Sequence, residues 1–220
     1  MYKKAIIIGG TGATGRQLIK QLLANNNWGQ ITSIGRRPVL NGEVHEKLQD
    51  IVIDSLFDLS STIELWKNND IFFNCIGTTK KRAGNAQKFI NIELDISMEA
   101  AKIASNTKIP HASIISASGA NHNIWASNWI HPLLYIKTMG QKEQTLINNK
   151  FSKISIFRPG MLIRLMDNLN WFEKKIQKNG FGLRVDDLAL AMMKDAINKN
   201  EKKSSIQFYY NDDIKKIIKY

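Results

Sequence analysis

Apolar residues along this chain gather in short continuous runs, separated by longer stretches in which they recur at helical spacing. A strand that is apolar throughout, instead of alternating with polar residues, is typical of a parallel sheet covered by helices on both faces. Six runs bounded by Gly, Asn or Asp therefore predict strands: KAIIIGG, QITSIG, DIVID, DIFFNCIG, ASIISASG and KISIFRPG.

The stretches between these runs predict helices. In the first of them, four apolar residues fall on one helical face: Leu18, Ile19, Leu22 and Leu23. A longer helical stretch extends from about Asn85 to Asn106. The regular alternation of strand and helix predicts an α/β protein with a doubly wound parallel sheet.

The length of 220 residues suits a single domain with one sizeable core. We expect a nucleotide-binding core over about residues 1–160. Beyond it the regular alternation stops, although a helix from about Asp186 and a strand IQFYY are still predicted. About residues 161–220 are therefore expected to form a small lobe on the substrate side of the same domain.

A glycine-rich turn, GGTGATG, follows the first predicted strand and opens the first predicted helix. Gly10, Gly12 and Gly15 have the spacing G-x-G-x-x-G, in which the first glycine permits a tight turn, the second lets a diphosphate approach the backbone, and the third lets helix and strand pack closely. The free N–H groups at the helix start would hold the phosphates. A P-loop is excluded, because Arg16 and Gln17 stand where it requires Lys and Ser or Thr.

The second predicted strand ends in IGRRP. At this point an NAD site usually has an Asp or Glu that binds the adenosine ribose hydroxyls. Arg36 and Arg37 instead offer planar guanidinium groups suited to a 2′-phosphate. This favours NADP over NAD as the cofactor; two solvated loop arginines are the alternative interpretation.

The formal net charge of +12 raises the question of nucleic-acid binding. The lysines are scattered along the chain, however, and a positive surface also attracts an anionic cofactor. We therefore expect no nucleic-acid partner. No apolar run has the length of a membrane span, so no membrane association is expected either.

Cysteine and histidine usage narrows the chemistry further. Cys75 is the single cysteine, which excludes a disulfide within the chain and fits a reducing, cytoplasmic location. Its apolar neighbours predict a buried, inert thiol. The four histidines show no metal-ligand spacing, so no metal site is expected.

Several segments, in this order along the chain, carry a resemblance to a known family: GGTGATGRQL, IGRRP, CIGTTKKRAG, IISASGA, YIKTMGQKE and IFRPG. With them the sequence resembles the atypical short-chain dehydrogenase/reductases, in the branch that includes the Tat-interacting oxidoreductase and bacterial relatives. The resemblance implies a Rossmann domain that binds NADP at the carboxyl ends of its strands and reduces a small carbonyl compound.

The resemblance also assigns parts of the cofactor to residues of this chain. It places the diphosphate at Gly10, Thr11, Gly12, Ala13, Thr14 and Gly15, the adenosine phosphate at Arg36 and Arg37, the adenine at Asp54, the nicotinamide-side ribose at Cys75, Ile76, Gly77 and Thr78, and the nicotinamide at Pro159 and Gly160. The glycine spacing and the arginine pair support the first two assignments independently.

Reductases of this family use a Ser, a Tyr and a Lys four residues after the Tyr. Tyr135 matches the tyrosine, as proton donor and cofactor contact, and Ser116 matches the serine that orients the carbonyl, with Ser118 as the alternative. The lysine position holds Met139. We therefore expect cofactor binding to be retained and catalysis to be weakened.

Two nearby lysines could compensate for Met139 only if the helix were irregular. Lys137 lies about 200° around the helix from Tyr135. Lys142 shares the face of Tyr135 but stands about 10 Å further along the axis. Neither is expected to restore the usual geometry.

Two functions remain open on this basis. The first is an NADPH-dependent reductase of a small carbonyl compound with reduced efficiency. The second is a non-catalytic protein that senses NADP and acts through a protein partner. The substrate is not encoded in any recognisable motif, and both a homodimer and a protein partner are compatible with the sequence.

Overall fold

The computed structural model describes residues 2–127, 131–164, 182–198 and 205–219. Its strands, numbered in chain order, are β1 (Lys3–Ile8), β2 (Trp28–Gly35), β3 (Leu48–Val52), β4 (Ile71–Asn74), β5 (His111–Ile115), β6 (Lys153–Phe157), β7 (Leu162–Ile163), β8 (Leu183–Arg184) and β9 (Ser205–Tyr209). Seven of them form one parallel sheet in the order β3-β2-β1-β4-β5-β6-β9. The first six follow the strand order of the Rossmann fold.

Helices cover both faces of this sheet. They are α1 (Ala13–Ala24), α2 (Ile63–Trp66), α3 (Lys80–Ala83), α4 (Ala86–Ile90), α5 (Ile96–Asn106), α6 (His131–Ile147), α7 (Val185–Ile197) and α8 (Asn211–Lys219). No helix among the described residues is long and apolar enough to cross a membrane.

Strand β1 shows why the predicted strands are apolar throughout. Ala5 and Ile7 point into the core formed with α1, α7 and α8, whereas Ile6 and Ile8 point into the core formed with α5 and α6. All four side chains are fully buried. The doubly wound α/β architecture expected from the sequence is confirmed.

The main sheet includes a strand from the C-terminal part of the chain, which the sequence assigned to a small lobe. The predicted strand IQFYY is β9, which pairs with β6, and Tyr209 stacks on Phe157 with 4.8 Å between ring centroids. Helix α7 buries its apolar face in the same core as α1. The sheet therefore continues past the boundary expected near residue 160. The short pair β7 and β8 lies in the expected lobe, whose residues 165–181 and 199–204 lie outside the described residues.

The helical stretch predicted from Asn85 to Asn106 begins and ends at these residues but is not one regular helix. The Asn85 side chain caps α4 by accepting the N–H of Lys88 at 2.8 Å. Between α4 and α5, a π-helical turn spans Asn91–Asp95. It carries the buried Glu93, and such turns are frequent at functional sites.

The connection from β1 to α1 passes very close to the end of β4. Gly9 has a φ of +80°, and a Cβ there would lie 2.5 Å from the carbonyl carbon of Cys75. Gly10 and Thr11 form the tight turn itself, which the Gly12 N–H closes by donating to the Gly9 carbonyl at 3.0 Å. A Cβ at Gly10 would meet Ile19 of α1 at 2.7 Å, so glycine there also lets α1 pack on the loop. At Gly15, a Cβ would collide with the Gly9 carbonyl oxygen, so α1 can pack on the loop only with glycine there.

A buried polar network holds α7 against the sheet. Asp195 of α7 binds Lys153 at 2.8 Å, and the His111 ring lies 3.6 Å from the same carboxylate and 2.9 Å from the Ser155 hydroxyl. Burial lowers the pKa of His111 to about 3, although Asp195 favours the charged ring; the charges of Lys153 and Lys3 lower it further. The imidazole is therefore neutral in the folded protein at neutral pH.

The buried neutral imidazole predicts a loss of stability in mild acid. Between the ordinary His111 pKa of 6.5 and its folded value of about 3, the unfolded chain binds one more proton than the folded chain. The free energy of unfolding should therefore fall as the pH drops below 6.5. His111→Gln, measured by urea denaturation at pH 6.5 and 4.5, should lose about 2 kcal/mol less than the wild type over this interval. Equal losses in both proteins would contradict this assignment.

The close approach at Gly9 gives a second prediction. Gly9→Ala should lower the free energy of unfolding by about 2 kcal/mol or more, because it combines an unfavourable φ with a backbone collision. Gly77→Ala is the matched control, since a Cβ there meets no atom within 4 Å, and it should change stability by less than about 0.5 kcal/mol. Chemical denaturation of the two variants measures the difference. A Gly9→Ala protein as stable as the control would show that the loop relaxes freely.

Candidate functional site

A cleft of about 660 Å³ opens at the carboxyl ends of β1, β4, β5 and β6. This edge of an open α/β sheet is where ligands bind, and the volume lies in the range of about 300–1,000 Å³ that is usual for small-molecule and cofactor sites. Its walls come from the glycine loop, the loop after β4, one face of α6 and the segment after β6. Most of the residues assigned to the cofactor therefore meet in one place.

The start of α1 forms one end of the cleft, which is lined there by residues 11–14. Helix geometry leaves the first N–H groups of α1 without acceptors inside the helix, and the aligned peptide dipoles add a partial positive charge. Gly12 is tied back to the loop by its N–H, which donates to the Gly9 carbonyl at 3.0 Å. This end of the cleft is built to bind an anion such as a diphosphate. Of the predicted glycines, Gly12 lines it, while Gly10 and Gly15 serve the packing behind it.

The loop after β4, Cys75–Thr78, which the family resemblance assigns to the nicotinamide-side ribose, forms the middle of the wall. The Asn74 side chain fixes its start by accepting the N–H of Ile76 at 3.1 Å. Burial raises the pKa of Cys75 to about 12, against the opposing charge of Lys142. The thiol therefore stays protonated and inert, in agreement with the sequence analysis.

Tyr135 and Met139 of α6 line the cleft one helical turn apart. The Tyr135 ring packs on Phe89 with 6.0 Å between centroids. Burial, with a smaller contribution from the negative charge of Glu93, raises the pKa of Tyr135 to about 12. The Met139 side chain is buried in an apolar cluster with Phe89, Ala117 and Ala120. The usual effect of the family lysine, which favours phenolate, is thus reversed at this tyrosine.

Ser116 lines the cleft as predicted, while the exposed alternative Ser118 is not among the described residues that form its wall. The Ser116 hydroxyl donates to Glu143 Oε1 at 2.5 Å. Arg158 holds the same carboxylate through two bonds of 2.8 and 2.6 Å, and these bonds raise the pKa of the guanidinium above its ordinary value. A serine has one hydroxyl hydrogen. Ser116 can therefore orient a carbonyl by donation only after it turns away from Glu143.

Two charged residues of the cleft wall were not predicted. Lys142 Nζ lies 2.6 Å from the Ile76 carbonyl oxygen and 3.0 Å from Glu93 Oε2, and Glu93 Oε1 accepts the N–H of Thr78 at 2.6 Å. The backbone of Lys142 does lie about 10 Å further along α6 than Tyr135, as expected, and this position alone gave no reason to place its side chain in the cleft. Side chains on a helix point back toward its N-terminus, and the long lysine stem uses this direction to reach the cleft.

The adenosine-side residues lie outside the cleft wall formed by the described residues. Arg36, Arg37 and Asp54 are all exposed. Arg36 directly follows β2, which is the neighbour of β1 in the sheet. The two arginines therefore stand beside the glycine loop, where the adenosine end of a bound dinucleotide would emerge.

The opposite side of the cleft is lined by Pro159 and Gly160, as expected. The Gly160 N–H donates to the Asn211 side chain at 3.0 Å, which ties this segment to α8. Three further arginines, which the sequence analysis did not single out, also line the cleft: Arg16, Arg82 and Arg164. Their charge suits an anionic ligand.

The residues present fit a nicotinamide dinucleotide. A glycine-lined helix start accommodates the diphosphate, and the cleft leads from it past the loop after β4 to Tyr135 and Ser116. A Cβ at Gly12 would lie 3.1 Å from the Gly9 carbonyl oxygen, which is tighter than ordinary contact, so glycine also suits the close turn of the loop at this point.

Comparison with known proteins agrees with this geometry. The profile of a family described as NAD(P)H-binding matches residues 9–193. The rat protein HTATIP2 is 30% identical over 162 residues, which are 73% of this chain and 63% of that protein. Protein FMP52, mitochondrial, of Debaryomyces hansenii is 32% identical over 160 residues, which are 72% of this chain and 66% of that protein. The chain thus matches less than two thirds of the length of each of these two relatives.

Solved structures share the fold at low sequence identity. The Bordetella bronchiseptica enzyme WbmG in complex with NAD has a TM-score of 0.69 and 14% identity, over 95% of this chain and 73% of that one. UDP-glucuronic acid 4-epimerase from Bacillus cereus in complex with NAD has a TM-score of 0.68 and 14% identity, over 94% and 76%. Fold, cleft and family profile agree, and the chain belongs to the NAD(P)H-binding family of Rossmann-fold proteins, as an atypical member of the short-chain dehydrogenase/reductase type.

Proposed function

We propose that this protein is an NADPH-dependent reductase of a small carbonyl compound. One observation carries the proposal: the anion-binding start of α1 and the side chains of Tyr135 and Ser116 line the same continuous cleft. A cofactor whose diphosphate is bound at the start of α1 would extend its nicotinamide toward Tyr135 and Ser116. The reacting carbonyl would then lie within reach of a buried phenol.

Preference for NADP over NAD rests on the two arginines after β2. Arg36 and Arg37 are exposed and follow the strand whose end usually carries an acidic residue in NAD sites. A 2′-phosphate accepts charge-assisted hydrogen bonds from guanidinium groups, whereas a ribose 2′-hydroxyl gains much less from them.

The bound cofactor would supply a hydride to the carbonyl carbon. Tyr135 would donate its phenolic proton to the carbonyl oxygen as the charge develops there. With a pKa of about 12, the phenol holds this proton throughout the neutral range. The same high pKa makes it a weak acid, because burial, and to a smaller extent the charge of Glu93, disfavours the phenolate left behind. We therefore expect slow turnover compared with a site that carries the usual lysine.

A second function, a non-catalytic sensor of NADP that acts through a protein partner or as a homodimer, is favoured by the same electrostatics. Met139 and the raised pKa of Tyr135 weaken acid catalysis without affecting the anion site at α1. The single, buried Cys75 fits either function in a reducing compartment, which we propose to be the cytoplasm.

Turnover distinguishes the two functions. The wild type, tested with NADPH against a panel of aldehydes, ketones and quinones, should oxidise NADPH with at least one of them, with a kcat that stays flat from pH 6 to 9 because Tyr135 remains protonated. Tyr135→Phe should lower kcat by about 100-fold or more and leave the NADPH Kd within about threefold. NADPH binding without turnover across the panel would overturn the reductase and favour the sensor.

Cofactor choice tests the arginine pair. Arg36→Ala/Arg37→Ala should raise the Kd for NADPH by about 10- to 100-fold, because two charge-assisted contacts to the 2′-phosphate are lost, and should leave the Kd for NADH nearly unchanged. Lys102→Ala/Lys108→Ala is the charge-matched control. Both lysines are exposed and precede β5, whose carboxyl end faces the cleft. Isothermal titration calorimetry of the three proteins with both coenzymes gives the answer. Parallel losses for NADPH and NADH would contradict a role in 2′-phosphate recognition.

A further inference from the structure

Lys142 and Glu93 form a buried ion pair directly behind the loop after β4. Their side chains are 1% and 2% exposed, with 3.0 Å between Nζ and Oε2. The pair binds two backbone groups of the loop. Lys142 donates to the Ile76 carbonyl at 2.6 Å, and Glu93 accepts the N–H of Thr78 at 2.6 Å. The carbonyl and the N–H on either side of Gly77 are thereby fixed.

Two local features bring these charges together. The π-helical turn Asn91–Asp95 carries the buried Glu93, and the Ser97 hydroxyl, from the first turn of α5, donates to the Glu93 carbonyl at 2.6 Å. On α6, Lys142 stands two turns after Tyr135 and extends its stem back toward the helix start. The pair also acts on both neighbouring groups: beside the larger effect of burial, Lys142 lowers the pKa of Cys75 and Glu93 raises that of Tyr135.

General stability is a poor explanation for such a pair. Removing two charges from water is costly, and apolar residues of similar volume often stabilise a fold equally well. Here both charges act on the backbone of one short loop, which is otherwise open enough that a Cβ at Gly77 would touch nothing within 4 Å. This arrangement favours a role in setting the shape of the loop.

We propose that Lys142 and Glu93 act as positioning residues that hold Cys75–Thr78 in the shape that binds the nicotinamide-side ribose. The inference rests on the proposed function, because that ribose lies between the diphosphate at α1 and the nicotinamide near Tyr135. In the family, the lysine four residues after the tyrosine orders this half of the cofactor. Here Met139 stands in that position, and the Lys142 and Glu93 pair orders it instead.

Two ligands separate this role from support of the whole site. NADPH contains the nicotinamide-side ribose, whereas 2′,5′-ADP has only the adenosine half. Lys142→Met/Glu93→Gln removes both charges without stranding either one in the interior. By calorimetry it should raise the Kd for NADPH by about tenfold or more, since charge-assisted contacts that order the loop are lost, and leave the Kd for 2′,5′-ADP within about twofold. Lys137→Met, on the same helix but outside the cleft wall, should change neither.

Each result decides the inference. Equal weakening of both ligands, or unchanged NADPH binding in the double variant, would overturn it while leaving the proposed function intact. Failure of the wild type to bind either ligand would overturn both. Thermal unfolding checks that the double variant folds. If it does not, Lys142→Gln/Glu93→Gln, which keeps a hydrogen-bonding group at each position and leaves no buried charge, is tested in its place, and a selective loss of NADPH affinity is again expected because neither contact is charge-assisted.

Discussion

The close contact between the glycine loop and the end of β4 is the constraint on which this site depends. Gly9 and Gly15 allow the backbone of the loop, the start of α1 and the carbonyl of Cys75 to approach within distances that a side chain would forbid. That approach aims the free N–H groups of α1 into the cleft and sets the loop after β4 beside them. The same backbone packing therefore positions both the start of α1 and the wall of the cleft that leads to Tyr135.

The end of the cleft at Tyr135 differs electrostatically from the arrangement that the family resemblance implies. The lysine position is apolar, because Met139 packs among Phe89 and two alanines. The α6 cation that lines the cleft, Lys142, is paired with Glu93 and binds the loop after β4. A cation that would favour the phenolate of Tyr135 is thus replaced by an ion pair that orders the backbone. Under the proposed function, binding and proton transfer, which a single lysine usually serves together, would be separated in this chain.

The features that the sequence predicted correctly, the strands and the helix bounds, are those that depend on local pattern. Continuous apolar runs located the strands, since both sheet faces are buried, and Asn85 and Asn106 bounded the helical stretch between β4 and β5. It could not predict features that depend on tertiary contact. The π-helical turn gives no periodic signal, and the reach of Lys142 depends on side-chain direction. Membership of β9 in the main sheet follows from packing on β6, which no local pattern encodes.

The central claim is that the start of α1 binds the diphosphate of a nicotinamide dinucleotide. It is tested most directly by amide NMR of the full chain titrated with NADPH. The account predicts that the largest shift changes occur at Gly12, Ala13 and Thr14, with a second set at Cys75–Thr78. Changes confined to the lysine-rich surface, with the amides of residues 12–14 unmoved, would contradict it.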